Sequence, residues 1–283
     1  MRRALAAGIV PVVVVLSATA AHHELLSLGA NGLLHPHKRA VDPSTGPEPT
    51  MFAGAGTLLE GWTFPAAGTR RGTAVYLHGV ADNRGSSLGA ARRFVARGYD
   101  VVAYDSRAHG GSGGEACTYG FYEKQDLRRV LDGLPAGPII VIGSSLGAAV
   151  ALQAAAEDGR ISAVVAAEPF SDLRTIAAER APWFFTRSAI RDALALAGAR
   201  GGFDVDAVSP LVAASRIRVP VLIAHGAADV ETSPDHSRRI FAALRAAKRL
   251  LIVPGAGHNQ SLQPATWPVI EEWVDSVVRG EDP

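Results

Sequence analysis

The sequence predicts a protein of the α/β class, with a mainly parallel sheet that helices cover on both faces. Short apolar runs alternate with amphipathic helical patterns over most of the chain, which is the order expected of strands joined by helices. Most of the runs are apolar at nearly every position, as in strands that are buried on both sides. The length of 283 residues fits one large α/β domain.

The elements can be assigned in chain order from these patterns. The predicted strands are Thr57–Phe64, Ala74–His78, Val101–Asp105, Ile139–Ile142, Ala163–Ala167, Val219–His225 and Leu250–Val253. The predicted helices are Leu88–Arg97, Gln125–Leu134, Leu146–Glu157, Ser237–Ala247 and Trp267–Val278. The stretch from Phe170 to Val208 is too long for a simple crossover, so we expect it to hold one or two helices of a small cap.

The residues ahead of this domain divide into two parts. Residues 1–21 carry two arginines before a long apolar run, and Ala18–Ala20 fits a small-residue cleavage site. This pattern is typical of a signal peptide, although the run also approaches the length of an uncleaved membrane anchor. We therefore expect an exported protein, either secreted or periplasmic or held at the membrane by this segment. Residues 22–50 are predicted to be a linker, and 51–283 the α/β domain, with the cap at about 170–208.

The pentapeptide Gly143-Ser144-Ser145-Leu146-Gly147 carries the clearest chemical signal. It stands between a predicted strand and a predicted helix, which is the context of a nucleophile elbow. The outer glycines remove side chains that would clash in so sharp a turn. Ser145 is therefore the candidate nucleophile.

A serine hydroxyl needs a base, and in folds with this elbow the acid and the histidine follow the serine in the chain. His258 lies in a glycine-rich loop after the last predicted strand, so it is the candidate base. His225 ends a strand and is interpreted as structural, and His236 as a solvated helix residue.

The acid is expected on the loop that follows Val219–His225. Asp229 comes soonest after the strand and is the candidate, with Glu231 as a second choice. The backbone amides of Leu146 and Val80 are the candidate oxyanion donors, because they follow the nucleophile and the strand Ala74–His78 respectively.

Several motifs stand in a familiar order along the chain: LHGVADNRG, AYDSRAHGGSGGE, CTYGFYEKQDL, IGSSLG, HGAAD and GAGH. With them the chain resembles the serine α/β-hydrolase superfamily over about residues 52–278, including relatives of the Bem46 and serine aminopeptidase types. The resemblance implies the α/β-hydrolase fold and the hydrolysis of an ester, a thioester or an amide. We expect Asp105, Arg107 and His109 to hold their loop together rather than to act in catalysis.

These residues predict a serine hydrolase that cleaves a carboxylic ester or thioester through an acyl-enzyme. One alternative is a peptidase, for which Glu168 and Glu179 are candidates to bind a peptide terminus. A second alternative is a non-catalytic binding protein on a hydrolase fold. Trp183, Phe184 and Phe185 in the cap either line a substrate pocket or attach the cap to the sheet.

Composition narrows the expected partners. The chain has 28 basic and 27 acidic residues, for a net charge of +1, and carries no basic patch that predicts nucleic-acid binding. Its single cysteine, Cys117, excludes an intrachain disulfide. No metal or organic cofactor is implied, so the expected partner is a small acyl substrate. Residues 1–21 would add membrane association if they stay uncleaved.

Overall fold

The computed structural model describes residues 22–42 and 44–281. Residues 1–21 lie outside these ranges, so a signal peptide or anchor there stays a prediction. Within the described ranges, no helix combines the length and apolarity needed to cross a membrane.

Eight strands of the described chain form a single sheet. They are β1 (Thr50–Ala53), β2 (Leu58–Phe64), β3 (Gly72–Leu77), β4 (Tyr99–Tyr104), β5 (Ile139–Ser144), β6 (Ile161–Ala167), β7 (Val221–Gly226) and β8 (Lys248–Val253). Their order in space is β1-β2-β4-β3-β5-β6-β7-β8. The β1/β2 and β2/β4 pairs are antiparallel, and β3 to β8 are mutually parallel. The carboxyl ends of β3 to β8 therefore meet at one edge of the sheet.

Helices and 3₁₀ turns connect and cover these strands. The α-helices are α1 (22–34), α2 (Leu88–Ala96), α3 (Glu123–Asp132), α4 (Leu146–Ala155), α5 (Leu173–Arg180), α6 (Arg187–Gly201), α7 (Pro210–Ala214), α8 (Pro234–Ala243) and α9 (Trp267–Val278). The 3₁₀ turns are Arg84–Ser87 and Val205–Ala207. The helices α5 and α6 lie between β6 and β7 and form the cap.

Each face of the sheet has its own apolar core, because successive strand residues point to opposite faces. Val141 packs with α3, α4, α7 and α8 on one face. Its neighbours Ile140 and Ile142 pack with α2 and α9 on the other. The predicted α/β-hydrolase fold is thereby confirmed, with a mainly parallel sheet between two helical layers.

Three elements differ from the sequence prediction. The short helix α7 falls between the predicted cap and the predicted strand Val219–His225, where no element was expected. The edge strand β1 was not predicted, because its four residues are mostly exposed and show no apolar alternation. Residues 22–34, predicted as part of a linker, form the helix α1. Gly29 and Gly32 lower the intrinsic helix propensity of this segment, and its packing on the cap overrides that preference.

Candidate active site

Ser145 occupies the sharp turn between β5 and α4. Its backbone has φ 51° and ψ −109°, a strained conformation for a residue other than glycine. A hydrogen bond of 2.8 Å from its amide to the Ala167 carbonyl ties the turn to β6. A Cβ atom at Gly143 would lie 2.3 Å from Gly147, and one at Gly147 would lie 2.1 Å from the Leu77 carbonyl oxygen. Both positions therefore require glycine for the helix to cross so close to the strands.

The structure brings Ser145, His258 and Asp229 into one hydrogen-bonded chain. Asp229 Oδ2 lies 2.7 Å from His258 Nδ1, which assigns the ring proton to that nitrogen. The other ring nitrogen, Nε2, then accepts a hydrogen bond of 3.0 Å from the Ser145 hydroxyl. This tautomer is the one that can take a proton from the serine. The geometry thus places the imidazole of His258 against the elbow serine and the carboxylate of Asp229 behind the imidazole.

The Asp229 carboxylate is held by four donors. Its Oδ1 accepts from the amides of Glu231 and Thr232, at 2.9 Å each. Its Oδ2 faces His258 and also lies 3.2 Å from His225 Nε2. Burial raises the pKa of Asp229, but the hydrogen bonds from the two histidines and Thr232 outweigh burial and hold the pKa well below its usual range. The carboxylate is therefore charged at neutral pH.

His225 and His236, the other two histidines that follow Ser145 in the chain, are both buried. His225 donates from Nε2 to the Thr232 carbonyl at 2.8 Å, and its Nδ1 lies 2.6 Å from Ser237 Oγ. This agrees with a structural role. His236 was predicted to be solvated, and that prediction is wrong, because the histidine is fully buried. Its ring bonds Ser171 on one side and Glu179 of α5 on the other, so it ties the cap to α8.

Two further contacts hold the loop that carries His258. The next residue, Asn259, has a positive φ of 59° and accepts a hydrogen bond of 2.9 Å from the Ser144 hydroxyl. The Ser261 amide donates to Glu168 at 2.8 Å. Burial raises the pKa of Glu168, which is 1% exposed at the carboxyl end of β6. The sequence suggested Glu168 for a peptide terminus, whereas the structure uses it to anchor the histidine loop.

The candidate oxyanion donors stand beside the nucleophile. Leu146 is the first residue of α4, so its amide has no acceptor inside the helix. Within residues 22–42 and 44–281, the amide of Val80 has no hydrogen-bond acceptor either. The preceding Gly79 is so near that a Cβ there would lie 3.5 Å from Ser145 Cβ. His78 holds this loop, because its Nε2 accepts from the Ser106 amide at 2.9 Å.

The loop after β4 is held by buried ion pairs. Asp105 is fully buried and binds both the backbone and the guanidinium of Arg84. Arg107 binds Asp126 of α3 at 2.7 Å through two nitrogens. His109 packs edge-on against His78 rather than facing the serine. These contacts match the structural roles expected for the three loop residues.

An apolar cavity of about 420 Å³ opens beside Ser145. Its walls come from the elbow, from Val80, from the cap and from α1. Phe184 and Phe185 line this cavity, and their role in binding a substrate stays a prediction. Trp183 does not line it and is 94% exposed, which corrects the prediction for that residue. Neighbouring side chains in the turn after α5 point in different directions, so the three aromatics do not share one face.

Sequence reasoning missed the helix α1 and Arg180 as parts of the cavity lining. Leu28 and Leu33 of α1 line it, and their apolar spacing in HELLSLGANGLL was the available signal. Arg180, at the end of α5, is the charged residue of the lining. Its guanidinium lies 3.4 Å from His258 Nε2 and also binds the loop of the acid through Thr232. No pattern in the sequence singles out Arg180.

The described residues contain no cluster of three or more histidine, cysteine, aspartate or glutamate side chains that could hold a metal ion. The buried cysteine is equally unsuited to nucleophilic chemistry. Burial raises the pKa of the Cys117 thiol well above its usual value, so the thiol is protonated at neutral pH.

Comparison with known proteins agrees with this architecture. A family model described as the alpha/beta hydrolase fold matches residues 75–210. The uncharacterized protein YqkD of Bacillus subtilis is 34% identical over 203 residues, which are 67% of this chain and 65% of that protein's length.

Solved structures also resemble this chain. An esterase of Pyrococcus furiosus, Pf2001, superposes with a TM-score of 0.68 at 22% identity, over 88% of this chain and 99% of its own. The acylaminoacyl peptidase of Pyrococcus horikoshii gives a TM-score of 0.65 at 16% identity, over 87% of this chain and 42% of its own. The sheet, the elbow and these similarities show that the chain has the α/β-hydrolase fold.

Proposed function

We propose that the protein is a serine hydrolase that cleaves carboxylic esters or thioesters of apolar acyl groups. The observation that carries the proposal is the hydrogen-bonded chain from Asp229 through His258 to Ser145, which ends at the mouth of an apolar cavity. A serine within 3.0 Å of an oriented imidazole is the arrangement that activates a hydroxyl. The esterase likeness of the fold is consistent with this activity.

The reaction begins with transfer of the Ser145 proton to His258 Nε2. The hydroxyl oxygen attacks the acyl carbonyl, and the charged Asp229 stabilises the imidazolium that forms. The amides of Val80 and Leu146 donate to the carbonyl oxygen as it becomes negative. The N-terminus of α4 adds a favourable dipole at the same point.

Collapse of the tetrahedral intermediate breaks the bond to the leaving group. His258 returns its proton to the departing alcohol or thiol, which leaves Ser145 esterified. Water then gives its proton to His258 and attacks the acyl-enzyme, and the serine takes the proton back as the acid is released. The acyl chain lies in the cavity during both steps, where apolar side chains contact it, while the carbonyl stays at Ser145 within reach of water.

Amide hydrolysis uses the same residues but needs a site for the peptide terminus. Both acidic residues considered for that site are engaged elsewhere. Glu168 binds the Ser261 amide, and Glu179 binds the buried His236. Neither residue lines the cavity beside Ser145. The geometry therefore favours esters and thioesters over aminopeptidase substrates.

Fluorophosphonate labelling of the full chain tests the proposal. We expect the parent to be labelled on Ser145, as located by peptide mass spectrometry, and to hydrolyse p-nitrophenyl esters. Ser145→Ala should abolish labelling and lower kcat by about a million-fold, because the nucleophile is lost. His258→Ala should lower the labelling rate and kcat by a comparable factor, because Ser145 and His258 act as one unit.

Ser215→Ala is the matched control, since Ser215 is an exposed serine that ends α7 away from the cavity. It should be labelled at the parental rate. A folded parent that takes no label on Ser145, or a Ser145→Ala variant that keeps most of the ester hydrolysis, would exclude the proposed mechanism. The first of these results would favour the binding-protein alternative.

A further inference from the structure

The helix α1 packs on the cap although it precedes the α/β domain in the chain. Ala30 is fully buried and Leu34 is 2% exposed, both in an apolar cluster shared with α5 and α6. Arg200 of α6 donates to the side chains of Asn31 and Ser27, at 2.9 Å each. These apolar and polar contacts together hold one side of α1 against the cap.

The carboxyl end of α1 binds the loop after β4 at the same time. The Cys117 amide donates to the Leu34 carbonyl at 2.8 Å. The Tyr119 hydroxyl donates to the Leu33 carbonyl at 3.1 Å. Both carbonyls belong to the last turn, where a helix lacks partners of its own. The helix therefore bridges the cap and the main domain.

Glycine sets how closely α1 approaches the cap. A Cβ atom at Gly29 would lie 3.1 Å from the Phe185 ring and 3.2 Å from Ala193 Cβ, both tighter than ordinary contact. Phe185 also lines the cavity beside Ser145. The distance between α1 and the cap therefore sets the width of the cavity at Phe185.

The adjacent face of α1 forms part of the cavity wall. Leu28, Gly29, Gly32 and Leu33 all line it. At Gly32 an added Cβ would meet no heavy atom within 4 Å. Gly32 is also exposed, so a side chain at this position has open space beside the cavity.

We propose that α1 is a specificity-determining wall of the acyl site, and that Gly32 leaves the room occupied by a medium-length aliphatic acyl chain. The cavity of about 420 Å³ is large beside a butyryl group, which fills only part of it. This inference rests on the proposed function and narrows its preferred substrates to esters of acyl chains longer than butyryl.

The test is Gly32→Leu in the full chain, assayed with the p-nitrophenyl esters of butyrate and octanoate. Gly32 lines the cavity and has open space for a side chain, so we expect the leucine to take up room used by the octanoyl chain and kcat/KM for octanoate to fall roughly tenfold. The loss for the butyrate ester should be smaller, because a short acyl group does not reach that space, so the octanoate-to-butyrate ratio of kcat/KM should fall several-fold below the parental ratio.

Gly89→Leu is the matched control, because Gly89 lies in α2, is exposed, has the same open space for a Cβ and does not line the cavity. It should leave the rates for both esters unchanged. An octanoate-to-butyrate ratio in Gly32→Leu that equals the ratio in Gly89→Leu overturns the assignment of α1 as the specificity wall, even if Ser145 proves to be the nucleophile.

Calorimetric binding of octanoate gives a readout that does not need catalysis. In a Ser145→Ala background, octanoate should bind, and adding Gly32→Leu should weaken binding roughly tenfold. If the parent hydrolyses neither ester but Gly32→Leu still weakens octanoate binding, the proposed function is wrong, whereas the assignment of α1 as a wall of the binding site is supported. If octanoate binds equally with and without Gly32→Leu, the wall is overturned.

Discussion

Asp229 and Glu231 lie two residues apart on the same loop, yet of the two only Asp229 contacts His258, the proposed base. The carboxylate of Asp229 lies 2.7 Å from His258, whereas the Glu231 side chain is 62% exposed and reaches toward Arg180. Asp229→Asn should lower kcat for p-nitrophenyl esters by about 10⁴-fold, because an amide cannot hold the productive imidazole tautomer or stabilise the imidazolium.

Glu231→Gln is the companion variant in the same kinetic assay. It should keep kcat within a few-fold of the parent, since its side chain does not touch the histidine. A large loss of kcat in Glu231→Gln with little change in Asp229→Asn would show that Glu231, rather than Asp229, is the acid.

At this scale, chain order and loop position predicted which serine, histidine and aspartate come together. The sequence could not predict the burial of His236 or the side on which Trp183 lies. Both depend on how the cap docks, through contacts such as the one between His236 and Glu179. Contacts between residues so far apart in the chain leave no local pattern.

At the scale of elements, the crossing of α4 over β3 depends on Gly147. A Cβ there would lie 2.1 Å from the Leu77 carbonyl oxygen, a distance that forces the helix and strand apart. Gly147→Ala should lower the free energy of unfolding by about 3 kcal/mol, as measured by urea denaturation.

Gly89→Ala provides the comparison, because Gly89 lies in a helix with open space around it. Replacement of a helical glycine by alanine there should raise the free energy of unfolding by about 0.5–1 kcal/mol. Equal effects at the two positions would show that the crossing is not as tight as the structure indicates.

Apolar runs were enough to predict the parallel strands and most helices, because burial on both faces leaves a strong local signal. The edge strand β1 and the helix α1 lack that signal. The strand is defined by backbone pairing with β2, and the helix by its contacts with the cap and the loop after β4. Such elements cannot be predicted from local sequence, because contacts with distant parts of the chain define them.

At the scale of the whole molecule, buried histidines couple stability to pH. Burial, with a smaller contribution from His78, lowers the pKa of His109 to about 4 from an ordinary value of 6.5. Between these values the unfolded chain binds more protons than the folded one. The contribution of His109 to the free energy of unfolding should therefore be greatest above about pH 6.5. The free energy of unfolding should fall by on the order of 2–3 kcal/mol as the pH drops toward 4.

Urea denaturation at a series of pH values measures this slope. His109→Gln should flatten the dependence between pH 4 and 6.5, whatever its effect on stability at neutral pH. His37→Gln, at an exposed position, is the control and should keep the parental slope. The lowered pKa of Asp229 acts in the same direction but at more acidic pH, so it does not obscure the comparison. An unchanged slope in His109→Gln would contradict the assignment.

The contact between α1 and α6 also has a consequence for the time course of folding. Asn31 and Arg200 are separated by 169 positions in the chain. At the usual pace of translation, roughly ten to thirty seconds pass between the appearance of these two residues at the ribosome. During that interval the apolar face of α1 has no cap to cover it. This face of the cavity is therefore made early in the described chain and stays uncovered while most of the α/β domain is being synthesised.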